Sequence, residues 1–174
     1  ILNLFWTFDR KEANYLNIHS RRSGFGKELH IWGDLKDTGI PGQPAQPVDL
    51  GNGKIAMVYI DRTSIPEIRI AISKDGGSNW IPRKEALYQY EIVCNQEDNK
   101  HSMNDAWSEM AKFSIGLPTV TITGNGDLLV VFYTGPTTDQ TAIRWVRVML
   151  TRDQCRDQCI DQVALATHST KREY

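Results

Sequence analysis

Long apolar runs are missing from this chain of 174 residues, since no stretch approaches the roughly 20 apolar residues that a helix needs to cross a bilayer. An excess of charge of either sign is missing as well. The 20 lysines and arginines face 21 aspartates and glutamates, which leaves a formal net charge of −1. A balanced charge gives no electrostatic reason to expect a polyanionic partner. We therefore expect neither a membrane nor a nucleic acid as a partner.

Cysteine and histidine are scarce, and their spacing does not favour a metal site. The chain has three cysteines, Cys94, Cys155 and Cys159, so at least one of them has no disulfide partner within the chain. Cys155 and Cys159 would share one face of a helix, but only His168 is near them in sequence, and a metal site needs more ligands. We expect no metal and no other cofactor.

No targeting signal is recognisable at the N-terminus, where the chain begins with Ile1 rather than a methionine. We therefore expect a processed product or a piece of a longer protein, and the absence of a leader does not identify a compartment. The length is sufficient for one ordinary domain with its own hydrophobic core.

The most informative motif is the octapeptide Ser-Lys-Asp-Gly-Gly-Ser-Asn-Trp at residues 73–80. It has the pattern Ser-x-Asp-x-Gly-x-x-Trp, known as the Asp box, and its defining residues are Ser73, Asp75, Gly77 and Trp80. A short carboxylate in a tight turn can accept backbone N–H bonds, and glycine takes the positive φ that other residues resist. The tryptophan offers a large apolar surface that can anchor the turn. We expect a structural role for these residues.

The Asp box ends one copy of a strand unit that recurs along the chain. In the middle copy, alternating apolar strands flank Gly51-Asn52-Gly53, and the last copy repeats this arrangement around Gly124-Asn125-Gly126. Asn-Gly between such strands is a strong hairpin signal. The first copy begins within a unit, with a strand predicted over residues 1–8, and Arg22 stands where its Asp box would need the aspartate.

The units cover about residues 1–30, 42–90 and 111–150 and predict an all-β fold. Repeated antiparallel units of this length are typical of β-propeller blades. About three blades cannot close a ring. We therefore expect either the missing half of a propeller or self-association to cover the open sheet edges. The pattern then stops, and residues 151–174 form a polar tail that could hold a short helix.

These features resemble the C-terminal half of a sialidase-superfamily protein, the group with Asp-box or BNR repeats. The resemblance covers roughly residues 1–150 and rests on the Asp box, on PVDLGNGKIAMVYIDR at 47–62 and on GLPTVTITGNGDLLVVFYTG, which begins at Gly116. It implies a six-bladed β-propeller, a carbohydrate (glycan) partner and a secreted or periplasmic location. Enzymes of this family bind the substrate carboxylate with three arginines. They use a tyrosine nucleophile, which a glutamate assists, and an aspartate as general acid.

One of the family's site residues has a counterpart in this chain. A family arginine ends the strand after a blade's Asp-Gly turn, and Arg62 ends the matching strand, so the resemblance implies that Arg62 binds an anion. The alternative is a solvated strand end in which Arg62 pairs with Asp61. In place of the assisting glutamate are Gln43 and Gln46, which could hydrogen-bond a sugar hydroxyl. No tyrosine occurs near Leu117, where the nucleophile would fall.

If the chain is a glycoside hydrolase, we therefore expect it to use two carboxylates rather than the sialidase mechanism. The candidate catalytic carboxylates are Asp61, Asp105 and Glu109. The last two lie in a long polar loop, 95–110, in which Trp107 could stack on a sugar ring. The alternative is a surface excursion of the chain in which Trp107 packs into a blade.

The sequence as a whole favours a sialidase-like glycoside hydrolase or another carbohydrate-processing propeller of unassigned specificity. One alternative is a non-catalytic propeller that binds a glycan or a protein. Another is an inactive fragment. An aspartate opposite Arg62, in the half of the propeller that this chain does not contain, would favour the enzyme.

Overall fold

The computed structural model describes residues 1–90 and 114–150, except residues 10, 13, 25 and 27–29. Within these residues the fold is all-β, with antiparallel strand pairs and no α-helix, so the predicted class is confirmed. No helix of the described part is long and apolar enough to cross a membrane. The predicted tail at 151–174 and the three cysteines, Cys94, Cys155 and Cys159, lie outside the described residues.

The described strands are short in the first third of the chain and longer in the units that follow. In chain order they are β1 Leu2–Phe5, β2 Phe8–Asp9, β3 Asn14–Tyr15, β4 His19–Arg22, β5 Lys36–Asp37, β6 Gln43–Pro44, β7 Val48–Gly51, β8 Lys54–Asp61, β9 Glu67–Ser73, β10 Ile81–Pro82, β11 Tyr88–Gln89, β12 Ile115–Ile122, β13 Leu128–Thr137 and β14 Gln140–Val148.

These strands form three antiparallel sheets and one small ribbon. The first sheet has the order β1-β4-β5, and the third sheet has the order β12-β13-β14. The central sheet has the order β10-β9-β8-β6, with β7 also paired to β8 and β11 also paired to β9. Strands β2 and β3 pair only with each other in the ribbon. Each predicted unit thus provides the main strands of one sheet.

The central sheet is buried on both faces. Successive side chains of a strand point to opposite faces, yet residues 56–60 of β8 are all buried. Met57 and Tyr59 belong to a core that also contains Ile18, which directly precedes β4 of the first sheet. Val58 and Ile60 belong to the core that the central sheet shares with the third sheet. The central sheet is therefore the middle of three layers, and its two faces hold the layers together.

The two Gly-Asn-Gly sequences form different turns. In the first, Gly51 pairs with Lys54, and the two loop residues Asn52 and Gly53 have φ of 53° and 74°. A two-residue loop with both φ values positive is the tight hairpin that Asn-Gly predicts. The second turn is longer, because the strands on its two sides end at Ile122 and begin at Leu128. Only the last residue of that Gly-Asn-Gly, Gly126, has a positive φ (89°).

The first strand is shorter than the sequence predicts, because β1 ends at Phe5. The chain then leaves the first sheet to form the ribbon, in which the rings of Phe8 and Tyr15 pack edge to face at 5.3 Å. The Thr7 hydroxyl donates to the carbonyl of Asn17 at 3.0 Å. This hydrogen bond holds the chain where it leaves the first sheet. The predicted strand over residues 1–8 is therefore wrong beyond Phe5.

The Phe132 side chain tests whether the core between the central and third sheets stabilises the fold. Phe132 is 2% exposed and its ring lies 5.0 Å from that of Tyr88. We expect Phe132→Ala to lower the free energy of unfolding by about 3–5 kcal/mol in urea denaturation, because it leaves a cavity. Ile143→Ala is the control, since Ile143 is 62% exposed on the same sheet. Its effect should stay near 0.5 kcal/mol, and equal losses for the two variants would contradict the packing.

Candidate functional site

The Asp box folds as a tight turn that its own polar side chains hold together. The Ser73 hydroxyl donates to Asp75 Oδ1 at 2.8 Å and accepts from the backbone N–H of Gly77 at 2.7 Å. Asp75 Oδ1 also accepts from the backbone N–H groups of Ser78 and Asn79, at 3.0 and 2.8 Å. One carboxylate therefore satisfies several donors that the turn would otherwise leave without acceptors.

The same turn connects the central sheet to the first sheet. A Cβ atom at Gly77 would lie 2.8 Å from Cδ2 of Leu2, so the first sheet packs directly on the glycine. Gly77 also has a φ of 88°, which side chains resist. Trp80 is 9% exposed and belongs to the core between these two sheets. The Asp box thus joins two layers, and these contacts are structural.

Hydrogen bonding alters the acidity of Asp75. The backbone N–H and the side-chain amide of Asn79, together with the Ser73 hydroxyl, hold the pKa of the Asp75 carboxyl far below its ordinary value. All of these donors favour the ionised form. Asp75 is therefore a permanent anion at neutral pH and a poor general acid.

Arg62 lies at the other end of the central sheet. It directly follows β8, whereas the Asp box follows β9, and Ser73 at the end of β9 pairs with Ile55 at the start of β8. Arg62 lies seven residues beyond Ile55, which corresponds to roughly 25 Å of extended strand. The Asp box and Arg62 are therefore two separate features of the sheet.

The Arg62 guanidinium lies at the junction of the central and third sheets. Its Nη1 donates to Oε1 of Gln43, and its Nη2 donates to the backbone carbonyl of Ile115 at 2.9 Å. Gln43 comes from the neighbouring strand β6, where it pairs with Ile60. The alternation of side chains along β8 explains why the Arg62 side chain points towards the third sheet. Ile60 and Arg62 are two residues apart, so they face the third sheet together.

Gly116 and Tyr133 border this guanidinium. The two residues are paired across β12 and β13. A Cβ atom at Gly116 would lie 2.7 Å from Nη2 of Arg62 and 3.1 Å from the Tyr133 hydroxyl. The Arg62 guanidinium and the Tyr133 phenol thus both lie close to the backbone of Gly116, which has no side chain.

The backbone beside Gly116 is irregular. The register of β12 against β13 shifts between Gly116 and Thr119, and Leu117 within this bulge has a φ of 43°. A non-glycine residue in this region costs on the order of 1–3 kcal/mol. The Leu117 side chain is also 80% exposed. Strain and an exposed apolar side chain therefore occur in the residue that follows Gly116.

The other predicted site residues divide into two groups. Asp61 faces away from Arg62 along the strand, and its Oδ1 accepts from the backbone N–H and the hydroxyl of Thr63 at 2.9 and 2.7 Å. Gln46 is exposed, three residues beyond Gln43. The predicted residues Asp105, Glu109 and Trp107 lie outside the described residues. The structure therefore brings together Arg62 and Gln43 from the predicted set.

Sequence analysis missed Gly116 and Tyr133 as members of the site. One signal for Tyr133 was present, because the neighbouring positions Leu128, Val130 and Phe132 alternate with it and are all buried on the opposite face. The role of Gly116 depends on a bulge and on a contact with a distant strand, and neither has a local sequence signal.

The chain matches no protein-family model, and a comparison with curated proteins also finds no match. Membership of the sialidase superfamily therefore stays a prediction.

The Asp75 carboxylate predicts a pH-dependent contribution to stability. An unfolded aspartate has a pKa of about 3.9, and that of folded Asp75 is lower. The stabilisation is then complete above about pH 4 and is lost as the pH falls from there towards the folded pKa. We expect Asp75→Asn to lower the free energy of unfolding at neutral pH, and the difference from wild type to shrink below about pH 4.

Urea unfolding across this pH range measures the difference. Asp34→Asn is the matched control, because Asp34 is exposed and lies outside the turn. This variant should stay near wild type at neutral pH. A difference between Asp75→Asn and wild type that remains constant down to pH 3 would contradict the role of the ionised carboxylate.

Proposed function

We propose that this chain is part of a β-propeller of the sialidase-superfamily type, and that it recognises an acidic carbohydrate at the end of the sheets where Arg62 lies. Two observations support the propeller. The antiparallel sheets pack face to face in chain order, and a self-contained Asp-box turn joins the first two. Layers of this kind, repeated around an axis, make a propeller.

The observation that supports acid recognition is the fixed guanidinium of Arg62. Its Nη1 and Nη2 atoms each donate to a neutral oxygen, one on Gln43 and one on Ile115, so both sheets position the group. A guanidinium has five N–H donors in a planar fork whose geometry matches a carboxylate. Preorganisation of this fork lowers the entropy that a ligand must lose on binding.

Recognition is better supported than hydrolysis. A glycoside hydrolase of the two-carboxylate type needs an acid and a base or nucleophile on either side of the sugar. Of the three carboxylates predicted for this purpose, only Asp61 lies within the described residues, and it is hydrogen-bonded to Thr63. The proposal is therefore a binding function for the Arg62 site.

The test compares glucuronic acid with glucose, a pair in which a carboxylate replaces a hydroxymethyl group. N-acetylneuraminic acid and galacturonic acid extend the acidic set, and ligand-observed NMR titration measures the dissociation constants. We expect wild type to bind at least one acid and to bind glucose at least tenfold more weakly. Arg62→Ala should weaken acid binding by about tenfold to a hundredfold, because hydrogen bonds to charged groups are worth about 1.5–3 kcal/mol.

Two controls separate loss of the site from loss of the fold. Arg147→Ala removes a guanidinium that is paired with Asp127 near the opposite end of the third sheet, and it should bind as wild type does. Circular dichroism checks that Arg62→Ala keeps its sheet structure, and Arg62→Lys keeps the charge but loses the fork. Failure of wild type to bind any of the three acids, or full binding by Arg62→Ala, would overturn the proposal.

A further inference from the structure

We propose that the cavity between the first and central sheets, beside the Asp-box turn, is a second ligand site that binds a small zwitterion with an apolar side chain, such as a free α-amino acid. Arg22 binds the carboxylate of this ligand, and Asp49 binds its ammonium group. The cavity includes Ile55, which is seven residues before Arg62 on the central sheet. The inference therefore does not depend on the acid recognition proposed at Arg62.

The cavity has the size of a small-molecule site. Its volume is about 460 Å³, and ligand sites usually have roughly 300–1,000 Å³. One wall comes from the first sheet, at Leu2 and Arg22, and the other wall comes from the central sheet, at Asp49 and Ile55. The cavity thus lies between two layers of the fold.

Arg22 provides a cation on the first wall. Leu2 is paired with Arg22 across β1 and β4 and packs on the core between the two sheets, so both side chains point towards the central sheet. A Cβ atom at Gly76, which also lines the cavity, would lie 2.7 Å from Nη2 of Arg22. The guanidinium therefore lies beside the cavity. Arg22 is exposed, and within the described residues its side chain forms no hydrogen bond or ion pair.

The sequence position of Arg22 agrees with this role. Arg22 stands where the first unit would need the aspartate of an Asp box. In the intact box, Asp75 accepts from donors of its own turn. Arg22 belongs instead to strand β4 and takes part in no such turn. Its side chain is thus available to the cavity.

Asp49 provides an anion on the second wall. It is paired with Ile55, which packs on the core between the first and central sheets, so the Asp49 side chain also faces the first sheet. Asp49 is exposed, and its Oδ1 accepts from the backbone N–H of Gly51 at 2.8 Å, which orients the carboxylate. Among the described residues, Asp49 and Arg22 form no ion pair with each other. Two opposite charges therefore line one cavity without contact between them.

The two charges and the apolar surface together indicate the ligand class. A guanidinium matches a carboxylate in charge and geometry, and a carboxylate such as that of Asp49 binds an ammonium group. Leu2, Pro47 and Ile55 give the same cavity an apolar surface. A simple anion would leave Asp49 and this surface without a contact. A zwitterion with an apolar side chain has a group for each of the three.

The first experiment titrates wild type with leucine and with three analogues at neutral pH, by ligand-observed NMR. Isocaproate lacks only the ammonium group of leucine, isopentylamine lacks only its carboxylate, and glycine lacks only its apolar side chain. We expect leucine to bind and each analogue to bind about tenfold more weakly, because each loses one charged contact or the buried apolar surface. Isocaproate or isopentylamine that binds as tightly as leucine would overturn the assignment of a zwitterion.

Variants of the first wall test the cation. Arg22→Ala should weaken leucine binding about tenfold, at the lower end of the range for hydrogen bonds to charged groups, because Arg22 is exposed. Arg21→Ala is its control. Arg21 is the exposed neighbour on the other face of β4, and its Nε donates to the carbonyl of Gly33 at 2.8 Å. This variant should bind leucine as wild type does.

Variants of the second wall test the anion. Asp49→Asn keeps an acceptor for the N–H of Gly51 but removes the charge, and it should also weaken leucine binding about tenfold. Asp37→Asn is its control, because Asp37 Oδ1 accepts from the backbone N–H of Gly39 at 2.7 Å in the same way, and Asp37 does not line the cavity. Circular dichroism checks that each variant keeps its sheet structure.

The outcomes decide the inference separately from the function proposed for Arg62. Weaker leucine binding by Arg22→Ala and Asp49→Asn, with normal binding by both controls, supports it. Failure of wild type to bind leucine, or normal binding by either Arg22→Ala or Asp49→Asn, overturns it. Loss of leucine binding in Arg62→Ala, with normal binding in Arg22→Ala, would place the ligand at the other end of the sheet and also overturn it. None of these results changes the comparison of glucuronic acid with glucose.

Discussion

The burial of both faces of the central sheet is the constraint on which the rest of the structure depends. An antiparallel sheet commonly leaves one face to solvent, but β8 has five consecutive buried residues, 56–60. Met57 and Tyr59 need a layer on one side, and Val58 and Ile60 need another on the opposite side. The first and third sheets supply these layers. Because Arg62 continues the alternation of Val58 and Ile60, the same constraint directs its guanidinium towards the third sheet.

The parts of the fold that were predictable from sequence are those set by local alternation and turn chemistry. Strands β8 and β9 and the Asn52-Gly53 hairpin follow from such patterns, since period-two alternation and Asn-Gly act over a few residues. The end of β1 at Phe5 was not predictable in this way, because it depends on a hydrogen bond from Thr7 to Asn17. The two Gly-Asn-Gly turns differ because the register of the flanking strands, and not the tripeptide alone, selects the turn.

The candidate site also contains both kinds of feature, residues that local patterns locate and residues that distant contacts locate. Alternation places Arg62 on the face of β8 towards the third sheet, and the resemblance to sialidases predicted it as an anion-binding residue. Its partner at the other sheet, the carbonyl of Ile115, is 53 residues away in sequence and belongs to a strand with a bulge. Gly116 and Tyr133 join the site only because that bulge brings them to the guanidinium. A bulge shifts the register by one residue or more and redirects side chains, so alternation alone could not locate them.

The Asp-box turn and the proposed recognition site are separated along the length of the central sheet. The Asp75 anion is stabilised by hydrogen bonds from donors within its own turn, and it lies roughly 25 Å from Arg62 along β8. That distance is about three times the Debye length at physiological ionic strength, so the two charges act independently. The Asp box therefore joins two layers at a distance from Arg62. Strain at Leu117 can be tolerated at the far end, because the layers are held by the two cores and by the turn rather than by the site itself.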